Sequence, residues 1–262
     1  MSAQAESLFV TAQGRKLEVQ RIAGSGKGAR TLVFLHEGLG SVAMWRDFPR
    51  DAALATGCAA VVYSRYGYGQ SEVLREPRGV DYMHVEAIEV LPELLARLEV
   101  HEPVLVGHSD GGSIALIHAA KHGKVKGLVV MAPHVFVEDI SITSIAEART
   151  AFETTDLPQK LGRYHADAAK TFRGWNDIWL HPDFRGWNIE DVLPRIHCPT
   201  LAIQGFDDEY GTMAQLEAIA RQTGGPVDLL RLTACRHSPQ RDQPKVVIEA
   251  MSRFVDRLDD EA

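Results

Sequence analysis

The chain has 262 residues, 45% of them hydrophobic and 24% charged, and a formal net charge of −7. That length and balance fit an ordinary globular protein, with room for one large α/β domain or two small ones. No run of Lys and Arg offers a nucleic-acid footprint and no stretch approaches the ~18 apolar residues of a membrane span, so the expected partner is a small molecule, with no nucleic acid and no membrane. The opening MSAQAESLFV has no basic segment leading into an apolar one, which reads as a cytoplasmic protein. Three widely spaced cysteines, Cys58, Cys198 and Cys235, speak for packing and against a disulfide framework or a paired-cysteine metal site.

In chain order, residues 7–11 and 16–22 alternate around the turn AQG and predict a β-hairpin. GSGKG at 24–28 reads as a flexible loop; the residues around Lys27 do not fit the phosphate-loop spacing. Short β-branched runs follow at 31–35, 59–63, 103–107, 127–131, 200–204 and 227–232, the composition of strands buried on both faces. Helical periodicity appears at 49–56, 80–98, 111–121, 213–222 and 246–258. Alternation of this kind predicts right-handed crossovers and a mainly parallel sheet covered by helices on both faces. Ligands of such sheets bind at the carboxyl ends of strands.

VGHSDGG, residues 106–112, lies at one of those ends and supplies G-x-S-x-G through Gly107, Ser109 and Gly111. A serine on a sharp strand-to-helix turn is held clear of the sheet, and small neighbours permit that geometry. Serine needs a base, and the base an acid to orient it. In this arrangement the acid precedes the histidine in the chain. The strand at 200–204 runs into GFDDEYG and the strand at 227–232 into TACRHSPQRDQP, which makes His237 the base and Asp207 or Asp208 the acid. Acyl transfer also requires amides around the oxyanion. One is the backbone N–H of Asp110, directly after the serine; the other comes from the loop HEGLGS, where Gly38 allows close backbone approach. HEGLG does not match HExxH, so no metal is expected there.

FLHEGLGS with Trp45, SRYGYGQS, VGHSDGG, IQGFDDEYG and RHSPQRDQP, taken in order, resemble five motifs of the α/β-hydrolase fold superfamily, in its group of capped esterases. The likeness covers nearly the whole chain. It implies a mainly parallel eight-stranded sheet with a helical cap inserted after the sixth strand, the core at 1–133 and 196–262 and the cap at 134–195. It also implies Ser109 as nucleophile, His237 as base, Asp208 as acid by its spacing from Gly205, and Gly38 and Asp110 as the oxyanion positions. Three residues depart from the pattern: Glu37 replaces the glycine of an HG pair, Ser64 an aspartate, and Arg236 a glycine.

The segment 134–195 contains eight aromatics, Trp175 and Trp179 among them, which predicts an apolar lid and a largely apolar ester substrate. Glu37, Arg65 and His134 are the polar pocket candidates. The expected activity is carboxylic ester hydrolysis through an acyl-enzyme, with no cofactor. The same fold also admits a carbon–carbon bond hydrolase, a proline-type peptidase, a cofactor-free oxygenase or perhydrolase, and a ligand-binding protein without turnover.

Overall fold

The computed structural model describes residues 5–25 and 30–260, and residues 26–28 of the predicted GSGKG loop lie outside them. Eight strands form one sheet in the order β1-β2-β4-β3-β5-β6-β7-β8. The hairpin β1 (Ala5–Ala12) and β2 (Arg15–Ile22) is antiparallel, and β2 pairs antiparallel with β4 (Ala59–Tyr63). The other neighbours are parallel: β3 (Thr31–Leu35), β4, β5 (Val104–His108), β6 (Gly127–Met131), β7 (Thr200–Gly205) and β8 (Val227–Leu232). Their carboxyl ends share one rim, and every loop singled out for chemistry opens there.

The strands alternate between two cores. Val33, Leu35, Leu105 and Val130 face one apolar cluster, whereas Leu32, Phe34, Val104, Val106 and Val129 face the other. The second cluster is closed by α1 (Phe48–Thr56) and α10 (Pro244–Asp260), through Phe48, Val247, Met251 and Phe254. The first is closed by α2 (Tyr82–Val85), α3 (Leu91–Arg97) and α4 (Asp110–His122). Both faces are thus covered, as the uninterrupted apolar runs require.

The helix expected over 80–98 is instead three pieces. Glu86–Val90 forms a π-turn between α2 and α3, with the Leu91 N–H bonded back to the Glu86 carbonyl. Pro92 brings no N–H to the ladder and its ring crowds the preceding turn, so the chain changes register just before it. Strand β5 runs one residue past its expected end, so Ser109 follows it directly.

Between β6 and β7 the strand–helix alternation gives way to α5 (Asp139–Thr154), α6 (Leu157–Leu161) and α7 (Ala168–Trp179), then two 3₁₀ turns, Pro182–Gly186 and Glu190–Arg195. Its aromatic rings pack largely against one another: Phe152 stacks on Phe172 at 4.0 Å, and Phe184 on Trp187 at 5.5 Å. After β7 come α8 (Ala214–Gln222), β8 and the short α9 (Pro239–Asp242), which leads into α10. Among the described residues, no helix is long and apolar enough to cross a membrane.

Candidate active site

Ser109 sits between β5 and α4 with φ 52° and ψ −120°, a left-handed conformation that a β-carbon disfavours. The turn is held by the Ser109 N–H donating to the Met131 carbonyl at 2.9 Å and by the Ser109 carbonyl accepting from Gly112 N at 2.8 Å. The flanking glycines are required by close approach. A β-carbon at Gly111 would lie 2.0 Å from the Leu35 carbonyl oxygen, and one at Gly107 would lie 2.3 Å from the Gly111 oxygen. The helix α4 can therefore dock tightly against β3 and β5, with Asp110 at its first position. Amides of a first helical turn have no partners within the helix and carry the positive end of its dipole.

His237 and Asp208 are joined by a 2.8 Å hydrogen bond from Nδ1 to Oδ1. Asp208 is buried, and its oxygens also accept from Tyr210 N at 2.8 Å and Gln204 Nε2 at 3.2 Å. Asp207 is exposed, so of the adjacent pair it is Asp208 that faces the imidazole. Burial acts against both charges, yet their mutual attraction and shared hydrogen bond outweigh it: the Asp208 pKa is lowered and the His237 pKa raised. With Nδ1 committed to Asp208, the free nitrogen of the ring is Nε2. The histidine loop is pinned against the serine turn through His108, whose Nε2–H donates to the His237 carbonyl at 2.7 Å. Gln240 Nε2 donates to the other nitrogen of His108 at 2.9 Å. Neither His108 nor Gln240 is singled out by sequence reading, although both stand inside the quoted motifs. Their use is set by contacts 129 and 132 residues apart in the chain.

Gly38 lies under the indole of Trp175, where a β-carbon would come within 2.1 Å of Nε1. Only glycine fits that contact between α7 and the loop after β3. Glu37 is half-buried, with its Oε2 3.4 Å from His108 Nδ1. His134 is buried, 5.9 Å between ring centroids from His237 and 5.1 Å from Trp179. Burial, aided by the neighbouring His237, takes its pKa down to about 3, so it is a neutral imidazole, and among the described residues its Nδ1 has no hydrogen-bond partner. Trp179 is bound inward, with Nε1 donating to Tyr82 Oη at 3.1 Å and to Asp110 Oδ1 at 3.3 Å. Arg65 is buried and bonds to the Glu37 carbonyl and the Asp110 carboxylate. Ser64 donates its hydroxyl to Glu18 Oε2 at 2.7 Å, so a carboxylate from β2 stands beside the position where the motif usually carries its own. Arg236 faces outward in an ion pair with Glu209 at 3.0 Å.

Residues 32–250 match the model of the alpha/beta hydrolase family. A curated relative, "Serine hydrolase BPHL" of Mus musculus, is 29% identical over 210 residues, which span 77% of this chain and 70% of that protein. Among solved structures, a proline iminopeptidase from Mycobacterium smegmatis superposes with a TM-score of 0.77 at 16% identity, covering 97% of this chain and 99% of that one. An esterase from Exiguobacterium antarcticum superposes with a TM-score of 0.74 at 21% identity, covering 96% of this chain and all of the other. At such identities the structures bear on the fold alone, while the family match spans most of the chain and includes the strained serine turn, the acid loop and the histidine. This protein belongs to the alpha/beta hydrolase family and is a hydrolase.

Proposed function

We propose that this protein is a serine hydrolase of carboxylic esters. The observation that carries the reading is the Asp208–His237 hydrogen bond, made by loops at the carboxyl ends of β7 and β8 and tied through His108 to the turn that presents Ser109. Ser109 Oγ attacks the ester carbonyl while His237 Nε2 accepts its proton, and Asp208 balances the imidazolium without itself being protonated. The tetrahedral oxyanion is held by the N–H groups of Gly38 and Asp110. Collapse expels the alcohol, which takes the proton from His237 and leaves an acyl group on Ser109. Water, deprotonated by the same nitrogen, then releases the acid and restores the serine.

Residues 134–195 act as a cap over this centre, and the core comprises the chain on either side. Support comes from Trp175 against Gly38, from Trp179 beside His134, and from Ser141 and Ser144, whose hydroxyls donate to the Tyr210 and Glu209 carbonyls and fasten α5 to the acid loop. The aromatic surroundings favour a largely apolar acyl or alcohol group, beside the neutral imidazole of His134.

A chain-length series of p-nitrophenyl esters, run beside N-terminal prolyl amides and β-diketones, tests the reading. Ester turnover with a preference for apolar acyl groups is the expected result. Turnover of the amides or diketones with inert esters would replace it.

A further inference from the structure

We propose that Arg65 is a positioning residue of the oxyanion hole, holding both of its backbone donors with one guanidinium nitrogen. The inference rests on the assignment of Ser109, Gly38 and Asp110 given above. Arg65, on the loop after β4, is 2% exposed. Its Nη2 donates to the Glu37 carbonyl at 3.0 Å and lies 3.5 Å from Asp110 Oδ2. These are the two points at which the donors are attached to the fold.

The Glu37 carbonyl and the Gly38 N–H belong to one planar peptide unit, so a grip on the oxygen sets the direction of the N–H. That oxygen also accepts from Gly40 N at 3.1 Å and from His36 Nδ1 at 2.7 Å. The other nitrogen of His36 accepts from the Arg65 backbone N–H at 3.0 Å, which fixes the tautomer and ties the two loops together again. Polarising a carbonyl in this way strengthens the N–H across the same peptide, because linked hydrogen bonds reinforce one another. On the other side, the Asp110 carboxylate accepts from Tyr82 Oη at 2.7 Å and from Trp179, so the residue carrying the second N–H is fixed through its side chain.

The charge of Arg65 has a second consequence. Asp110 is fully buried, and an uncompensated carboxylate at the residue after the nucleophile would repel a forming oxyanion. The guanidinium offsets it. A substrate-binding arginine and a positioning one differ in what their loss does: the former raises KM, and the latter lowers kcat, since the oxyanion exists only along the reaction path.

The test compares the wild-type enzyme with Arg65→Lys, which keeps a cation but lacks the planar fork. A second variant, Arg65→Met with Asp110→Asn, removes both members of the buried Arg65–Asp110 pair and serves if the first does not fold. For each, kcat and KM are measured on a p-nitrophenyl ester, together with inhibition by an alkyl trifluoromethyl ketone, whose adduct carries the oxyanion, and by the matching methyl ketone. Displacing donors should cost less than deleting one, so kcat should fall about 10- to 100-fold. KM should stay within about threefold, and trifluoromethyl ketone affinity should fall in step with kcat/KM while the methyl ketone is unaffected. Unchanged kcat, a rise in KM alone, or a lower kcat with intact trifluoromethyl ketone affinity would overturn the inference. Fluorophosphonate labelling of the wild type separates the two readings: a label away from Ser109 removes the proposed function and this inference with it, whereas a label on Ser109 with unaffected Arg65 variants removes this inference alone.

Discussion

The serine turn and the segment between β6 and β7 both border the candidate site, and they differ in what holds them. The turn is fixed by backbone. Its glycines admit the Leu35 carbonyl and the next turn of α4, and its hydrogen bonds reach β6. The segment between β6 and β7 is fixed mainly by side chains, through stacked aromatics and single contacts such as Trp175 on Gly38, beside backbone bonds such as Ala166 N to the Gly69 carbonyl. Backbone-determined geometry leaves a local signature in the sequence, because only certain residues fit it. Geometry set by side-chain packing leaves composition.

Substitutions in the two regions should differ in size and in kind. The largest effect is expected at the turn itself: a triad acts as a unit, so Ser109→Ala should lower kcat by at least ~10⁴ with the fold intact by circular dichroism. Next comes the acid. Asp208→Asn should cost up to ~10⁴ in kcat at neutral pH, while Asp207→Asn, at an exposed position, should cost about tenfold or less on the same ester. Equal losses in the two would break the assignment of Asp208.

In the segment between β6 and β7 the expected effects are smaller and of another kind. Trp175→Ala should change kcat/KM by about 1–3 kcal/mol of transition-state binding and shift the preferred acyl length, since pocket contacts discriminate on that scale. A lower melting temperature with the preference unchanged would make Trp175 a packing residue only. The smallest effect is a pH shift. Because the Asp208 charge raises the His237 pKa, and the base must be neutral to act, kcat/KM should rise with pH through a midpoint above the ordinary histidine value of ~6.5. In Asp208→Asn the residual activity should rise through a lower midpoint, which a pH profile from 5 to 9 would reveal.

Much of this arrangement is legible in the sequence. The strands at 31–35, 59–63 and 127–131 have the expected bounds, since uninterrupted apolar runs are needed where both faces are buried; 227–232 keeps its bounds too, although as the edge strand it is only partly buried, with Asp228 and Arg231 exposed. The choice between Asp207 and Asp208 is different: local pattern leaves it open, and spacing by resemblance selects the residue that the structure turns toward His237. The break at 86–90 escapes the periodicity because a π-turn preserves the apolar face while changing register. The Arg65 contacts are illegible for a plainer reason. Its acceptors, Glu37 and Asp110, are 28 and 45 residues away, and only the folded sheet brings those loops to one nitrogen.

Reaction of the purified protein with a fluorophosphonate, followed by peptide mass spectrometry of the adduct, identifies the nucleophile. The expected result is a single adduct on Ser109, absent from Ser109→Ala and slowed in Asp208→Asn. An adduct on another serine, or an enzyme that hydrolyses esters yet remains unlabelled, would contradict the assignment of Ser109.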